Sequence, residues 1–122
     1  MRVDFSESFV ERLRVLEVFM QMQDADSAES RIQALHDDVL RLVDLIKLHP
    51  KLGRPATMLA ASSVEGQRRL DQVLRVATEA DLPELREYVM QSHLVLYAHS
   101  DSRVLMLSVR HQRELGYTSD RN

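Results

Sequence analysis

The chain has no cysteine and no tryptophan, and its 122 residues include only three glycines, three prolines, three tyrosines and three phenylalanines. Each shortage closes off a class of chemistry. Without cysteine there are no disulfides, no thiolate metal sites and no cysteine nucleophile, which fits a reducing compartment. Three scattered glycines cannot supply a glycine-rich phosphate loop or a nucleophile elbow, so the common cofactor enzymes are disfavoured and no cofactor is expected. Aromatics at 5% leave few platforms on which bases can stack. No apolar run approaches the roughly 18 residues that a membrane-spanning helix needs. Met1-Arg2-Val3-Asp4 does not lead into the apolar stretch of a secretion signal either, so a cytoplasmic protein without membrane contact is expected.

What remains is an ordinary globular composition, 44% apolar and 29% charged, from which a core of Leu, Val, Ile, Ala and Met can be built. The length suits a single domain over residues 1–122. The net charge is −3, unevenly spread: residues 1–48 hold ten acids against six bases, and residues 84–122 hold five of each. Proteins that grip long stretches of nucleic acid neutralise many phosphates with clustered Lys and Arg. Strong direct binding to nucleic acid is therefore not expected.

The first half reads as helical. Val3-Asp4-Phe5 alternates like a short strand, and Ser8-x-x-Glu11 has the form of a capping box that opens a helix. Phe9, Leu13, Leu16 and Met20 then fall on one helical face. Gln23-Asp24-Ala25-Asp26 breaks the pattern, and Asp26 or Ser27 can cap a second helix. Its stripe is Ala28, Ile32, Leu35, Val39, Leu42 and Ile46, widened by Leu40 and Val43. Two such stripes joined by a short polar link predict an antiparallel helical hairpin, ending where Lys47-Leu48-His49-Pro50 stops the helix. Lys51-Leu52-Gly53-Arg54-Pro55 is a turn by composition. A third helix is expected within 57–82, capped by Ser62-x-x-Glu65, striped by Leu70, Val73, Leu74 and Ala77, and closed by Asp81-Leu82-Pro83.

After Pro83 the period becomes extended. Leu85–Met90, Leu94–His99 and Arg103–Val109 are rich in Val, Leu and Tyr and read as a meander. Val104-Leu105-Met106-Leu107-Ser108-Val109 is apolar on both faces, the mark of a central strand covered on each side.

His93, His99 and His111 lie in this region, but no triplet of potential ligands has metal spacing, and no metal site is expected. Arg110, His111 and Arg113 form the most suggestive cluster, because a basic group at the end of a central strand can meet a phosphate or a partner's carboxylate. A solvated strand end is the plainer explanation. Tyr117 with Leu115 suits either a target contact or a hydrophobic plug.

Taken in order, the strand, the helical hairpin, His49-Pro50-Lys51-Leu52-Gly53-Arg54-Pro55, Leu85-Arg86-Glu87-Tyr88-Val89, Leu94-Val95-Leu96-Tyr97 and Leu105-Met106-Leu107-Ser108-Val109-Arg110-His111-Gln112-Arg113-Glu114 resemble the RelE/ParE toxin superfamily. The match spans nearly the whole chain except residues 57–82, which read as an inserted helix. The resemblance implies an α+β fold, β-α-α-[inserted α]-β-β-β, with a four-stranded antiparallel sheet packed against the N-terminal hairpin. It also implies the toxin of a type II toxin–antitoxin pair, a plasmid-stabilization and growth-inhibition role held in check by a cognate antitoxin.

Two activities occur in that superfamily: ribosome-dependent mRNA cleavage, and inhibition of DNA gyrase by protein contact. In the cutting branch, basic side chains on strand two and at the start of strand three stabilise charge at the scissile phosphate. The corresponding positions here are Leu85, Glu87 and Leu94, with Arg113 alone keeping the expected type. Arg86, Arg110 and His111 offer a displaced set, in which Glu87 can serve as general base and His111 as acid. The acidic total and the lost basic positions favour the gyrase branch, a binder rather than an enzyme, with Arg110, His111, Arg113 and Tyr117 as the target surface. The alternative is a ribosome-dependent endoribonuclease using Arg86, Glu87, Arg110, His111 and Arg113. A third reading is an inactive relative kept as an antitoxin-binding module.

Overall fold

A computed structural model describes residues 1–56 and 64–111 of the chain. Within them lie β1 (Arg2–Phe5), α1 (Glu7–Gln23), α2 (Ala25–Leu48), β2 (Arg54–Pro55), α3 (Val64–Glu79), β3 (Glu84–Met90), β4 (His93–His99) and β5 (Arg103–His111). The class is α+β, three helices with one five-stranded sheet in the order β1-β5-β4-β3-β2.

This sheet differs from the expected four-stranded antiparallel one in two ways. β1 runs parallel to β5, with Val3 opposite Val104 and Phe5 opposite Met106. A parallel pair needs a long connection between its strands, and here nearly the whole fold intervenes. The second difference is β2, two residues that pair Arg54 with Glu87 and Pro55 with Arg86. Pro55 lacks an N–H to donate, which is tolerated because β2 is the sheet's edge.

The hairpin forms where the apolar stripes predict it. Phe9, Leu16 and Met20 of α1 are buried with Leu35, Val39, Leu42, Val43 and Ile46 of α2 against Met90, Val95, Tyr97, Val104, Met106 and Val109 of the sheet. Fully burying a side chain such as Ile46 is worth about 1.5–3 kcal/mol. Leu40 does not widen the stripe and stands exposed, because one residue beyond Val39 lies about 100° around the helix.

The caps differ from the sequence expectation. Ser6, not Ser8, caps α1, its Oγ accepting from Phe9 N at 3.1 Å. Ser8 Oγ instead donates to Leu107 O at 2.7 Å. That carbonyl lies where β5 bulges: Leu96 pairs with Ser108 and Tyr97 with Met106, so Leu107 has no partner residue on β4. Asp24 caps α2 by accepting from Asp26 N at 3.1 Å, and the Ser27 hydroxyl, followed by that backbone bond, draws its carboxylate below the ordinary range.

On the opposite face of the sheet, Leu96, Ala98, Leu105 and Leu107 pack with Ala77 and Leu82, supported by Val73 and Val76. α3 thus closes the second face of β5, an inner strand between β1 and β4. Leu74, placed in the α3 stripe by spacing, is exposed; it follows the inward-facing Val73 by one residue and is turned to the helix flank. Asp81 ends this segment at φ 58°, and Leu82 N donates to Ala77 O at 3.0 Å. That is the reversal by which many helices stop. Ser62, proposed above as a cap, lies outside the described residues.

Candidate functional site

Strand alternation decides which of the candidate residues can act together. Cross-strand partners share a face, and neighbours along a strand face opposite ways. Arg86 is opposite Tyr97 and His111 opposite His93, all on the hairpin face of the sheet. Glu87 and Ser108 both flank Leu96, and Arg110 is opposite Leu94, all on the α3 face. Glu87 and His111 therefore project from opposite sides of the sheet and cannot form a general base and acid pair. Arg86 and His111 share a face but align with β4 positions four residues apart, about 13 Å along the strand. Arg113 and Tyr117 lie outside the described residues.

On the hairpin face Arg86 is held on three sides. Its Nη1 donates to Gly53 O at 2.8 Å, its Nη2 to Glu84 Oε2 at 2.9 Å, and its Nε to His99 Nε2 at 3.0 Å. Glu84 Oε2 also lies 3.1 Å from His99 Nε2. The Arg86 hydrogen bond, chiefly, with the charges of Arg86 and Lys51 around it, holds the Glu84 carboxyl below its ordinary value. Beside this group the Tyr97 hydroxyl accepts from Gly53 N at 2.8 Å and donates to Pro50 O at 2.8 Å. Burial pushes the Tyr97 phenol upward. The network clamps the loop after α2 onto β3 and β4, and it engages all three nitrogens of the Arg86 guanidinium, whose side chain is largely buried.

On the α3 face Glu87 is fully buried and Arg54, from the neighbouring edge strand, is 62% exposed, with Nε 2.7 Å from Glu87 Oε1. Among the described residues, the second carboxylate oxygen of Glu87 and the Ser108 Oγ, on the far side of β4, are buried without a hydrogen-bond partner. Arg54 was foreseen only as part of a turn; its pairing with Glu87 follows from β2, an element too short to carry a period. At the far end of the hairpin face the His93 and His111 rings meet edge to face at 5.1 Å between centroids. Among the described residues no three His, Asp or Glu side chains gather as a metal set, and no helix is long and apolar enough to cross a membrane.

Arg54 and Glu87 thus form an ion pair at the β2 edge of the α3 face, with Arg110 on that same face two strands from Glu87, while Arg86, Glu84, His99 and Tyr97 form a closed structural knot on the other. A side chain held in that knot is preorganised to support a loop rather than to turn over a substrate.

No protein-family model matches this chain, and no curated protein matches its sequence.

Proposed function

We propose that this chain is the toxin of a type II toxin–antitoxin pair of the RelE/ParE kind, acting by binding, with DNA gyrase as its target. The observation that carries the reading is the order β1-α1-α2 followed by β3-β4-β5, with the α1–α2 hairpin packed on the sheet. The sequence resemblance implies this order of elements, with a four-stranded antiparallel sheet where the chain has a five-stranded mixed one. Action by contact rather than by cutting is supported by the separation of Glu87 from His111 and by the engagement of Arg86 with Gly53, Glu84 and His99. The target surface in this reading is the end of β5, Arg110 and His111, continuing to Arg113 and Tyr117. The antitoxin is a segment that folds as it binds. Expression of the chain alone arrests growth in this reading, and the purified protein inhibits supercoiling by gyrase from its own host. Unimpaired supercoiling at saturating protein rejects the target.

Ribosome-dependent cleavage is the second reading: Arg54 at the β2 edge and Arg110 on β5 lie on the same α3 face of the sheet, three strands apart, where they can meet separate phosphates of an RNA backbone. Toeprinting decides it, since a ribonuclease of this kind leaves cuts at the ribosomal A site and a gyrase inhibitor leaves none.

A further inference from the structure

α1 carries a second apolar stripe, on the side turned away from the core. Val15, Val18, Phe19 and Met22 follow the spacing three, one, three, which sets them on one helical face. They are 44%, 48%, 55% and 80% exposed. The buried residues of the same helix, Phe9, Leu16 and Met20, occupy the other side. An isolated exposed leucine needs no explanation, but four large apolar side chains in one row over two turns mark a surface that meets a partner.

The surroundings select the partner. Between Glu7 and Leu48 the hairpin carries nine carboxylates against five Lys and Arg. At the far end of the stripe the chain turns through Asp24 and Asp26 towards Glu29, and at the near end stand Glu7 and Glu11. Of the neighbouring arginines, Arg14 offsets Glu11 at 3.2 Å and Arg31 is held by the neutral Gln23 at 3.1 Å, so the negative charge at the two ends is carried chiefly by Glu7, Asp24, Asp26 and Glu29. A second copy of this chain fits poorly. Packed antiparallel, it sets the Glu7 and Glu11 end of α1 against the acidic turn at Asp24 and Asp26; packed parallel, it sets each acid against itself.

We infer that the outer face of α1 docks a cationic amphipathic helix from another protein, its apolar side on Val15, Val18, Phe19 and Met22 and its Lys or Arg flanks on the acidic ends. This is helix-on-helix recognition with apolar anchors and an electrostatic rim that sets partner choice. The face and its charges are the same whether or not the chain is a toxin.

The test uses the full chain and two synthetic helical peptides of about 18 residues, one of Leu and Lys and one of Leu and Glu, long enough to cover the stripe at 1.5 Å per residue. Fluorescence anisotropy reads binding, and sedimentation reads the state of the free protein. The protein is expected to sediment as a monomer and to bind the Leu/Lys peptide at least tenfold more tightly than the Leu/Glu one. The double substitution Phe19→Ser and Met22→Ser is expected to weaken that binding at least tenfold, whereas Leu40→Ser, an exposed change on α2, leaves it unchanged. Both sets of substitutions lie on the surface, and circular dichroism verifies that they fold. Three outcomes overturn the inference: absence of binding, equal binding by the Phe19/Met22 variant, or a dimer that Phe19→Ser dissociates, which assigns the face to a second copy. None of these readouts involves growth arrest or gyrase, so the toxin reading stands or falls separately.

Discussion

Tyr97 and Gly53 are joined by a 2.8 Å hydrogen bond from the Gly53 amide to the phenol, forty-four residues apart in sequence and both buried. The same hydroxyl donates to Pro50 O. Tyr97→Phe keeps the ring but leaves an amide and a carbonyl without their partner. Buried polar groups left unmade cost about 1–3 kcal/mol, and urea denaturation is expected to show a loss in that range.

The same phenol contributes to the alkaline limb of stability. Burial raises its folded pKa above the ordinary 10.0. For a group raised in the folded state, the stabilisation is complete below the unfolded pKa and is lost as pH rises through the folded one. Wild type is therefore expected to weaken above about pH 10 more steeply than Tyr97→Phe. Parallel alkaline slopes in chemical denaturation count against this.

Gly53 is required for space. A Cβ at this position meets Glu87 O at 2.6 Å and the Tyr97 hydroxyl at 3.0 Å. The first obstacle is backbone in a paired strand and cannot step aside, so Gly53→Ala must push β2 off β3. Overpacking of this kind costs about 1–3 kcal/mol, and the melting temperature is expected to fall accordingly.

Arg54 and Glu87 should be coupled in a double-mutant cycle. Removing Arg54 strands a buried carboxylate. Breaking a fully buried pair costs about 3–5 kcal/mol, but Arg54 is largely in water, so Arg54→Ala is expected to cost less, about 1–3 kcal/mol. Glu87→Gln removes the charge, and in that background Arg54→Ala is expected to cost little. Simple additivity of the two changes argues against a working ion pair.

Glu84 sets part of the acid limb. Its folded pKa lies below the ordinary 4.5, chiefly through the Arg86 hydrogen bond. A depressed carboxylate stabilises above its unfolded pKa and loses that contribution as pH falls through the folded value. Stability measured downward from about pH 5 is expected to drop less steeply in Glu84→Gln than in wild type. Identical acid slopes mean that the Arg86–Glu84 contact is silent in solution.

The parts of this fold that were legible in the sequence are those with a burial period. Phe9, Leu13, Leu16 and Met20, and Ala28 through Ile46, repeat every three or four residues because one side of each helix meets the core. The three late strands announce themselves by β-branched and aromatic content, and β5 by being apolar on both faces. Periodicity does not name a strand's neighbours, so the parallel pairing of β1 with β5 was not visible. β2 has two residues and no period at all.

The candidate site was less legible. Ser8-x-x-Glu11 fits a capping pattern, yet the Ser8 hydroxyl is drawn away by the Leu107 carbonyl at a bulge that no local signal marks. Arg86 and Glu87 are adjacent on a strand, so their separation onto opposite faces follows from strand geometry alone. What they each contact depends on register, which needs the turn lengths on both sides. The outer row on α1 was available in the spacing of Val15, Val18, Phe19 and Met22, but an amphipathic reading attends to one stripe per helix.

The side-by-side placement of β1 and β5 orders the assembly of the molecule. Asp4 reaches Arg103 across this seam at 3.3 Å, and Ser6 N donates to Met106 O at 2.9 Å. Roughly a hundred residues of chain must be in place before either bond can close, a loop whose entropy is met late in folding. A ribosome-bound fragment that stops short of Arg103 can coil its hairpin, but its leading strand has nothing to zip against.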